Sequence, residues 1–286
     1  MVAGAGIAGL AAAWELTRQG NADVVVLESE RHAGGTIVTE QVDGFVVEGG
    51  PDGFLAGEPE LPDLAAELGI GDRLVDQQAR GTALWNGTEL APLDEGRAAA
   101  LLGIEAGKSE IAAGFRSFSA GMGEPVAALL ERLSGKVKFA QGVSSLIPCK
   151  QGWHVAITGG SVHEAEAIVL ALPAYTAGRL LEAAGASRAR ELAETPYVPS
   201  ITVSLAYLDT QLTRPLNGAG FVVDADAVGG PPGVAQPIPA GPDPTVKIPG
   251  PRPAGSRPAT CVPAAAGRGS GAARARAAGG NPRNPG

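Results

Sequence analysis

The residues that first suggest a chemistry are three glycines near the start of the sequence. Residues 4–9 read Gly-Ala-Gly-Ile-Ala-Gly, a GxGxxG spacing. In a loop that holds a dinucleotide, the first glycine makes a tight turn and the second lets the backbone approach a pyrophosphate. The third lets a helix pack on a strand, and the N-terminus of that helix favours the phosphate charge. The spacing therefore predicts a dinucleotide-binding loop.

The elements that must position this loop follow it in the expected order. Residues 10–16 are rich in Ala and Leu and predict a helix, which Gly20 closes. Residues 23–28, Asp-Val-Val-Val-Leu-Glu, predict a buried parallel strand that ends in an acid. Glu28 lies 19 residues after Gly9, near the spacing of a carboxylate that binds ribose hydroxyls. The order predicts a Rossmann-like α/β fold; an unrelated glycine-rich turn is the alternative.

A strand should also precede the glycines. Only Met1, Val2 and Ala3 do so, and we expect so short a strand to pair poorly with the rest of a sheet. The sequence at this point indicates either a clipped first strand or a true start further upstream.

Two further segments resemble flavoproteins. Residues 28–36, Glu-Ser-Glu-Arg-His-Ala-Gly-Gly-Thr, resemble the segment after the ribose acid in flavoproteins with two dinucleotide-binding domains. Residues 45–54, Phe-Val-Val-Glu-Gly-Gly-Pro-Asp-Gly-Phe, resemble the loop beneath the flavin ring in the amine oxidase, phytoene desaturase and protoporphyrinogen oxidase superfamily. An ordinary hairpin and turn is the alternative for this segment, and Glu48 and Asp52 are interpreted as turn-forming residues. The two resemblances imply FAD as the cofactor.

The middle of the chain continues the resemblance. Residues 115–133 resemble the place where protoporphyrinogen oxidases return to the FAD domain through a Gly-Met-Gly turn that opens a helix. Val143 matches the family position whose backbone meets the adenine. Residues 153–158 and 161–166 predict a hairpin, 175–184 a helix and 200–208 a strand. Residues 167–174 resemble a strand of the same family. The similarity is collinear over about residues 1 to 225.

The resemblance implies a set of cofactor-binding residues and names no catalytic side chain. The predicted FAD contacts are Gly4, Ala5, Gly6, Ile7, Ala8, Gly9, Glu28, Ser29, Arg31, Gly34, Gly35, Thr36, Gly49, Gly50, Pro51, Asp52, Gly53 and Val143.

The domain organisation is predicted from the same comparison. Residues 1–93 form the N-terminal part of the FAD-binding domain, and 94–114 are a shortened junction where the family has its substrate domain. Residues 115–228 return to the FAD-binding domain and begin a substrate sheet. The fold class is thus α/β, a Rossmann-like FAD-binding domain that lacks most of the substrate domain. The family's closing Gly-Asp motif has no counterpart in residues 229–286.

Residues 229–286 differ in composition from everything before them. They contain 12 Gly and 13 Pro, no Leu, Phe, Tyr or Trp, and a net charge of +6, against −14 for residues 1–228. Such a segment cannot bury enough apolar area to offset about 1 to 2 kcal/mol of ordering entropy per residue, so disorder is expected. Ala, Arg, Gly and Pro dominate from Arg252 on, which is typical of GC-rich codons read in a shifted frame, and the hypothesis is a frameshift near residue 229. A basic linker for anionic partners is the alternative.

Composition excludes several classes of function. The acidic body argues against nonspecific binding of nucleic acid, which needs clustered Lys and Arg. The two cysteines and three histidines form no metal-binding pattern, so no metal is expected. No apolar run is long enough for a transmembrane helix, and the start does not resemble a signal peptide. A cytoplasmic protein is therefore expected.

The resemblance implies FAD-dependent, oxygen-using oxidation of a porphyrinogen, protoporphyrinogen IX or coproporphyrinogen III, to the porphyrin in heme biosynthesis. The implied partners are this small-molecule substrate and oxygen. Peripheral membrane contact occurs in the family, but its region is missing here. Two alternatives stay open: another FAD-dependent amine oxidase or desaturase, and an inactive, truncated remnant of the family.

Overall fold

A four-stranded parallel sheet lies at the centre of the chain in the computed structural model. Its strands are β1 (Val2–Ala3), β2 (Val26–Leu27), β10 (Val137–Lys138) and β14 (Val169–Leu170), in the order β10-β2-β1-β14. The structure describes residues 1–20, 22–42, 45–78, 81–101, 107, 111, 113–197, 201–206, 220–223 and 259–264. The predicted α/β fold class is confirmed.

The first strand occupies the middle of this sheet. Val2 pairs in parallel with Val26 on one side and with Val169 on the other. Val2 and Ala3 are almost completely buried. The expectation that a very short first strand would pair poorly is wrong, because β1 gains hydrogen bonds and packing from neighbours on both edges.

Helices cover one face of the parallel sheet. The helix α1 (Ile7–Arg18) contains the predicted helical segment, and α4 (Gly123–Arg132) begins at the predicted Gly-Met-Gly turn. Both pack on the sheet together with the end of α2 (Glu60–Leu68). Their shared core is made of apolar side chains from all three helices and the sheet, among them Val2, Leu10, Ala13, Val26, Leu68, Val126 and Leu129.

An antiparallel sheet and another helix cover the opposite face. The strands β11 (Val143–Cys149), β12 (Gly152–Ile157) and β13 (Val162–Ala165) form a three-stranded meander. They pack with α5 (Ala174–Ala183) on Leu27 of the central sheet. The predicted hairpin and helix are confirmed, whereas the strand expected over residues 167–174 is limited to β14, Val169–Leu170, and the helix begins at Ala174. The short helix α6 (Ala189–Ala193) then packs against α5.

Smaller sheets connect these layers. The hairpin β3 (Thr39–Val42) and β4 (Phe45–Glu48) precedes a sheet in the order β5-β9-β6, formed by Phe54–Leu55, Phe115–Phe118 and Leu74–Asp76. A 3-10 helix, Gly71–Arg73, leads into β6. A further sheet contains β7 (Thr82–Trp85), β8 (Leu90–Leu93) and β16 (Gly220–Val223), and α3 (Glu95–Leu101) follows β8.

One strand occurs where disorder was predicted. The strand β17 (Ala259–Ala264) pairs antiparallel with β15 (Ile201–Ala206). Strand pairing uses backbone donors and acceptors, and every residue of β17 except Pro263, which lacks the N–H, carries both, so the segment can join a strand edge without large apolar side chains. The remainder of residues 229–286 lies outside the described residues.

The described helices are all short. The longest, α1, has twelve residues, and none of them combines the length and the apolar composition that crossing a bilayer requires.

Candidate dinucleotide-binding site

The glycine loop after β1 has the geometry that its spacing predicts. Gly4 has a φ of +100°, and a Cβ there would overlap the carbonyl oxygen of Ala171, which follows β14. A Cβ at Gly9, in α1, would overlap the carbonyl oxygen of Gly4. At Gly6, between them, a Cβ would meet no atom within 4 Å. Gly4 and Gly9 are thus needed for close packing, whereas Gly6 borders open space.

Glu28 at the end of β2 holds this loop in place. Its Oε2 accepts a hydrogen bond of 2.6 Å from the backbone N–H of Ala5, and its Oε1 accepts from Ser29 Oγ and Glu30 N at 3.0 and 2.9 Å. The residue is 8% exposed. An ionised carboxylate has about four acceptor positions, so one is left for a ligand hydroxyl.

The second glycine segment lies directly against the first. Gly34 donates its N–H to the carbonyl oxygen of Ala5 at 2.8 Å. A Cβ at Gly35 would lie 3.4 Å from the Cα of Gly6. Both residues have positive φ, +102° and +60°. Arg31, in the turn before them, is exposed.

The third glycine segment continues from the second. Gly49 donates its N–H to Val38 O at 2.7 Å, and a Cβ at Gly50 would overlap the carbonyl oxygen of Thr36. A Cβ at Gly53 would lie 2.7 Å from the carbonyl oxygen of Arg116 in β9. Residues 49–53 are therefore packed, backbone to backbone, between residues 36–38 and β9.

Asp52 on this segment is held through its backbone. Its carbonyl oxygen accepts a hydrogen bond of 2.8 Å from Ser117 Oγ in β9. Burial raises the pKa of the Asp52 carboxyl above its ordinary value, because the charged form loses solvation.

Val143 lies on the other side of Glu28. Gln141 donates its N–H to the carbonyl oxygen of Glu28 at 2.7 Å, and Ala140 donates to the carbonyl oxygen of Glu30 at 2.9 Å. These bonds place the start of β11 beside the end of β2. The predicted residues thus lie next to one another in the structure. We call the series that runs from Val143 and Glu28 through Gly6 and Gly35 to Gly50 the glycine-lined path.

The path contains two features that a dinucleotide site needs. One is the open space at Gly6, which lies at the N-terminus of α1. The other is the buried carboxylate of Glu28, which can accept a further hydrogen bond. The individual contacts to FAD stay predictions.

Glu48 is the residue for which the sequence interpretation was wrong. It is the last residue of β4 and 7% exposed, so it does not form a turn. Its Oε1 accepts a hydrogen bond from Met122 N and its Oε2 accepts from Thr39 Oγ1, both at 2.7 Å. Burial raises the pKa of the Glu48 carboxyl, whereas these hydrogen bonds act in the opposite direction.

Nothing near Glu48 in the sequence reveals this role. One of its partners, Met122, is 74 residues away along the chain. The only available signal is the Gly-Met-Gly turn itself, whose backbone N–H groups at a helix start need acceptors.

Residues 7–106 and 97–216 match the family described as flavin containing amine oxidoreductase, which is more than half of the chain. The chain belongs to this family. Its members are FAD-dependent oxidoreductases, so FAD is the cofactor.

Relatives with assigned names match shorter stretches. A coproporphyrinogen III oxidase from Propionibacterium freudenreichii is 43% identical over 97 residues, which are 34% of this chain and 18% of the relative. A putative flavin-containing monoamine oxidase from Mycobacterium tuberculosis is 39% identical over 88 residues, 31% of this chain and 19% of the relative. The chain thus spans less than a fifth of the length of either protein.

A solved structure shows the same fold over a longer stretch. A putative protoporphyrinogen oxidase from an Exiguobacterium species superposes with a TM-score of 0.63 at 20% sequence identity, covering 78% of this chain and 69% of that chain. At this identity the similarity concerns the fold.

Proposed function

We propose that this chain is part of an FAD-dependent, oxygen-using oxidase that converts a porphyrinogen, coproporphyrinogen III or protoporphyrinogen IX, to the porphyrin in heme biosynthesis. The observation that carries the flavin part is the glycine-lined path, with open space at Gly6 next to the carboxylate of Glu28. The porphyrinogen part is supported by the 43% identical relative named coproporphyrinogen III oxidase. A cytoplasmic location is included in this proposal.

In this proposal, the residues of this chain bind FAD and orient it. Glu28 accepts a hydrogen bond from a ribose hydroxyl, the turn at Gly4 aims backbone N–H groups at the pyrophosphate, and residues 49–53 lie beneath the flavin ring. When bound, FAD supplies the acceptor for hydride equivalents from the reduced carbons of the porphyrinogen, and oxygen takes these electrons to give hydrogen peroxide. Residues 1–93 and 115–228 together provide the FAD-binding domain.

Amine oxidation is the second candidate function. The observation in its favour is the 39% identical relative named as a putative flavin-containing monoamine oxidase. The resemblance of residues 115–133 to protoporphyrinogen oxidases favours the porphyrinogen.

Purification in the presence of FAD tests the proposal. We expect a yellow protein with flavin absorption bands, which forms fluorescent porphyrin and hydrogen peroxide when coproporphyrinogen III or protoporphyrinogen IX is added under air. Hydrogen peroxide from a panel of amines, without porphyrin from either porphyrinogen, would support the second candidate. A colourless, aggregating protein would overturn both and indicate an inactive remnant.

A further inference from the structure

A closed ring of hydrogen bonds joins β3, β4 and the start of α4. Glu48 accepts from Thr39 Oγ1 and from Met122 N, each at 2.7 Å. Thr39 Oγ1 accepts in turn from Gly123 N at 2.9 Å. Thr39 and Glu48 are also direct cross-strand partners in the hairpin. One carboxylate and one hydroxyl therefore fix two successive backbone N–H groups at a helix start.

The ring is built on a buried carboxyl group. Hydrogen bonds from neutral donors to an ionised carboxylate are stronger than neutral ones, and the N-terminus of a helix favours a negative charge. Glu48 is 7% exposed, so little solvent competes for these bonds. The geometry of the ring is accordingly stiff.

The turn before α4 leaves the ring no space to shift. Gly121 has a φ of +102°, and a Cβ at this position would lie 2.5 Å from Glu48 Oε1 and 2.9 Å from Val46 Cγ1. The backbone of the turn thus packs directly on the carboxylate.

The ring adjoins the far end of the glycine-lined path. Gly49 follows Glu48 immediately, and Gly50 packs on Thr36, three residues before Thr39. Glu28, which borders the beginning of the path, is not a member of the ring. Any displacement of Glu48 is therefore transmitted to residues 49–53 and not directly to the loop at residues 4–9.

We propose that Glu48 is a positioning residue, which fixes residues 49–53 so that the path accepts the flavin end of FAD. The ADP portion of FAD is held at the other end and does not depend on Glu48. This inference rests on the proposed function, because it presumes FAD in the path.

Calorimetric titration of the full chain with FAD and, separately, with ADP tests the inference. In Glu48→Gln the amide oxygen keeps an acceptor for Met122 N–H and the amide nitrogen can donate to Thr39 Oγ1, but the carboxylate charge that strengthens both hydrogen bonds is lost. We expect its Kd for FAD to rise about tenfold, corresponding to about 1.4 kcal/mol, while the Kd for ADP stays unchanged. Glu40→Gln removes the same charge from an exposed position of β3 and should change neither Kd.

Thr39→Val provides a second variant that does not touch the carboxylate itself. It removes the hydrogen bond that Thr39 donates to Glu48 and the one that it accepts from Gly123 N–H, so its Kd for FAD should also rise, with ADP binding unchanged. Thermal unfolding without ligand shows that each variant is folded before it is titrated.

The outcomes separate the two proposals. Equal weakening of FAD and ADP would show that Glu48 merely supports the fold, and unchanged FAD binding in both variants would also overturn the positioning role. If the unaltered chain does not bind FAD, the proposed function fails and the positioning role fails with it.

Discussion

Glu28 and Glu48 are two buried acids that have similar local positions but different contacts. Glu28 directly follows β2 and Glu48 is the last residue of β4. Each is less than a tenth exposed, and each accepts a backbone N–H, from Ala5 at 2.6 Å and from Met122 at 2.7 Å. The donor to Glu28 is 23 residues away, within one β-α-β unit, whereas the donor to Glu48 is 74 residues away. A local motif can therefore reveal the first acid but not the second.

The surroundings of the two acids differ as well. Beside the loop that Glu28 holds, a Cβ at Gly6 would meet nothing within 4 Å. Beside Glu48, a Cβ at Gly121 would lie 2.5 Å from the carboxylate. Glu28 thus borders space that a ligand can fill, and Glu48 borders packed protein. Burial of an acid alone does not distinguish a ligand-binding residue from one that supports a loop.

The largest expected effect is a loss of folding stability when a closely packed glycine of the loop at residues 4–9 is substituted. Gly9→Ala should destabilise the fold by about 2 to 3 kcal/mol, because its Cβ overlaps the carbonyl oxygen of Gly4. The gain in helix propensity, about 1 kcal/mol, is smaller. Urea unfolding measures this change.

Gly6→Ala is the matched control within the same loop. Gly6 has an ordinary φ of −67°, so alanine is tolerated there and unfolding should change little. FAD binding should nevertheless weaken, because the new methyl group occupies the open space. A Gly9→Ala protein as stable as Gly6→Ala would contradict the distinction.

An intermediate effect is expected at Glu28. Glu28→Gln should raise the Kd values for FAD and for ADP alike, each about tenfold, since a lost hydrogen bond to a charged group contributes about 1.5 to 3 kcal/mol. The same two titrations used for Glu48 measure it. If FAD binding weakened while ADP binding did not change, Glu28 would act at the flavin end of the path rather than at the ADP end. The contrast between Glu28 and Glu48 would then be lost.

The smallest effect concerns pH. Burial raises the pKa values of Glu48 and Asp52 above those of the unfolded chain, so the folded state holds their protons to higher pH. The free energy of unfolding should therefore decrease as the pH rises from the ordinary carboxyl pKa through the raised values. Glu48→Gln should flatten this decrease in urea titrations at successive pH values. The exposed control Glu40→Gln should keep the full slope, and identical slopes in all three proteins would refute the assignment to Glu48.

Much of the fold follows from local pattern. The helix α1 after the glycines, the hairpin β12–β13 and the helix α5 all lie where apolar periodicity and glycine turns predict them. These elements are defined by residues close in sequence, which is what pattern captures.

The remaining features depend on distant partners. Two residues suffice for β1 because neighbours at Val26 and Val169 hold it from both sides. The sequence pattern favours a turn at Glu48 because nothing near it shows that residues 122 and 123 supply the backbone N–H donors of its ring. In the site, the glycine spacing predicts the loop, whereas the contact between residues 36–38 and 49–50 is visible only in the structure.

The central position of β1 has a consequence for the order of folding during synthesis. Val2 pairs with Val169, and the turn at Gly4 packs on Ala171, so neither is complete until residue 171 has left the ribosome. At typical rates of translation this takes on the order of ten seconds or longer after the first residues appear. During that interval β1 can pair with β2 on one edge, while its other edge has no partner until β14 is synthesised.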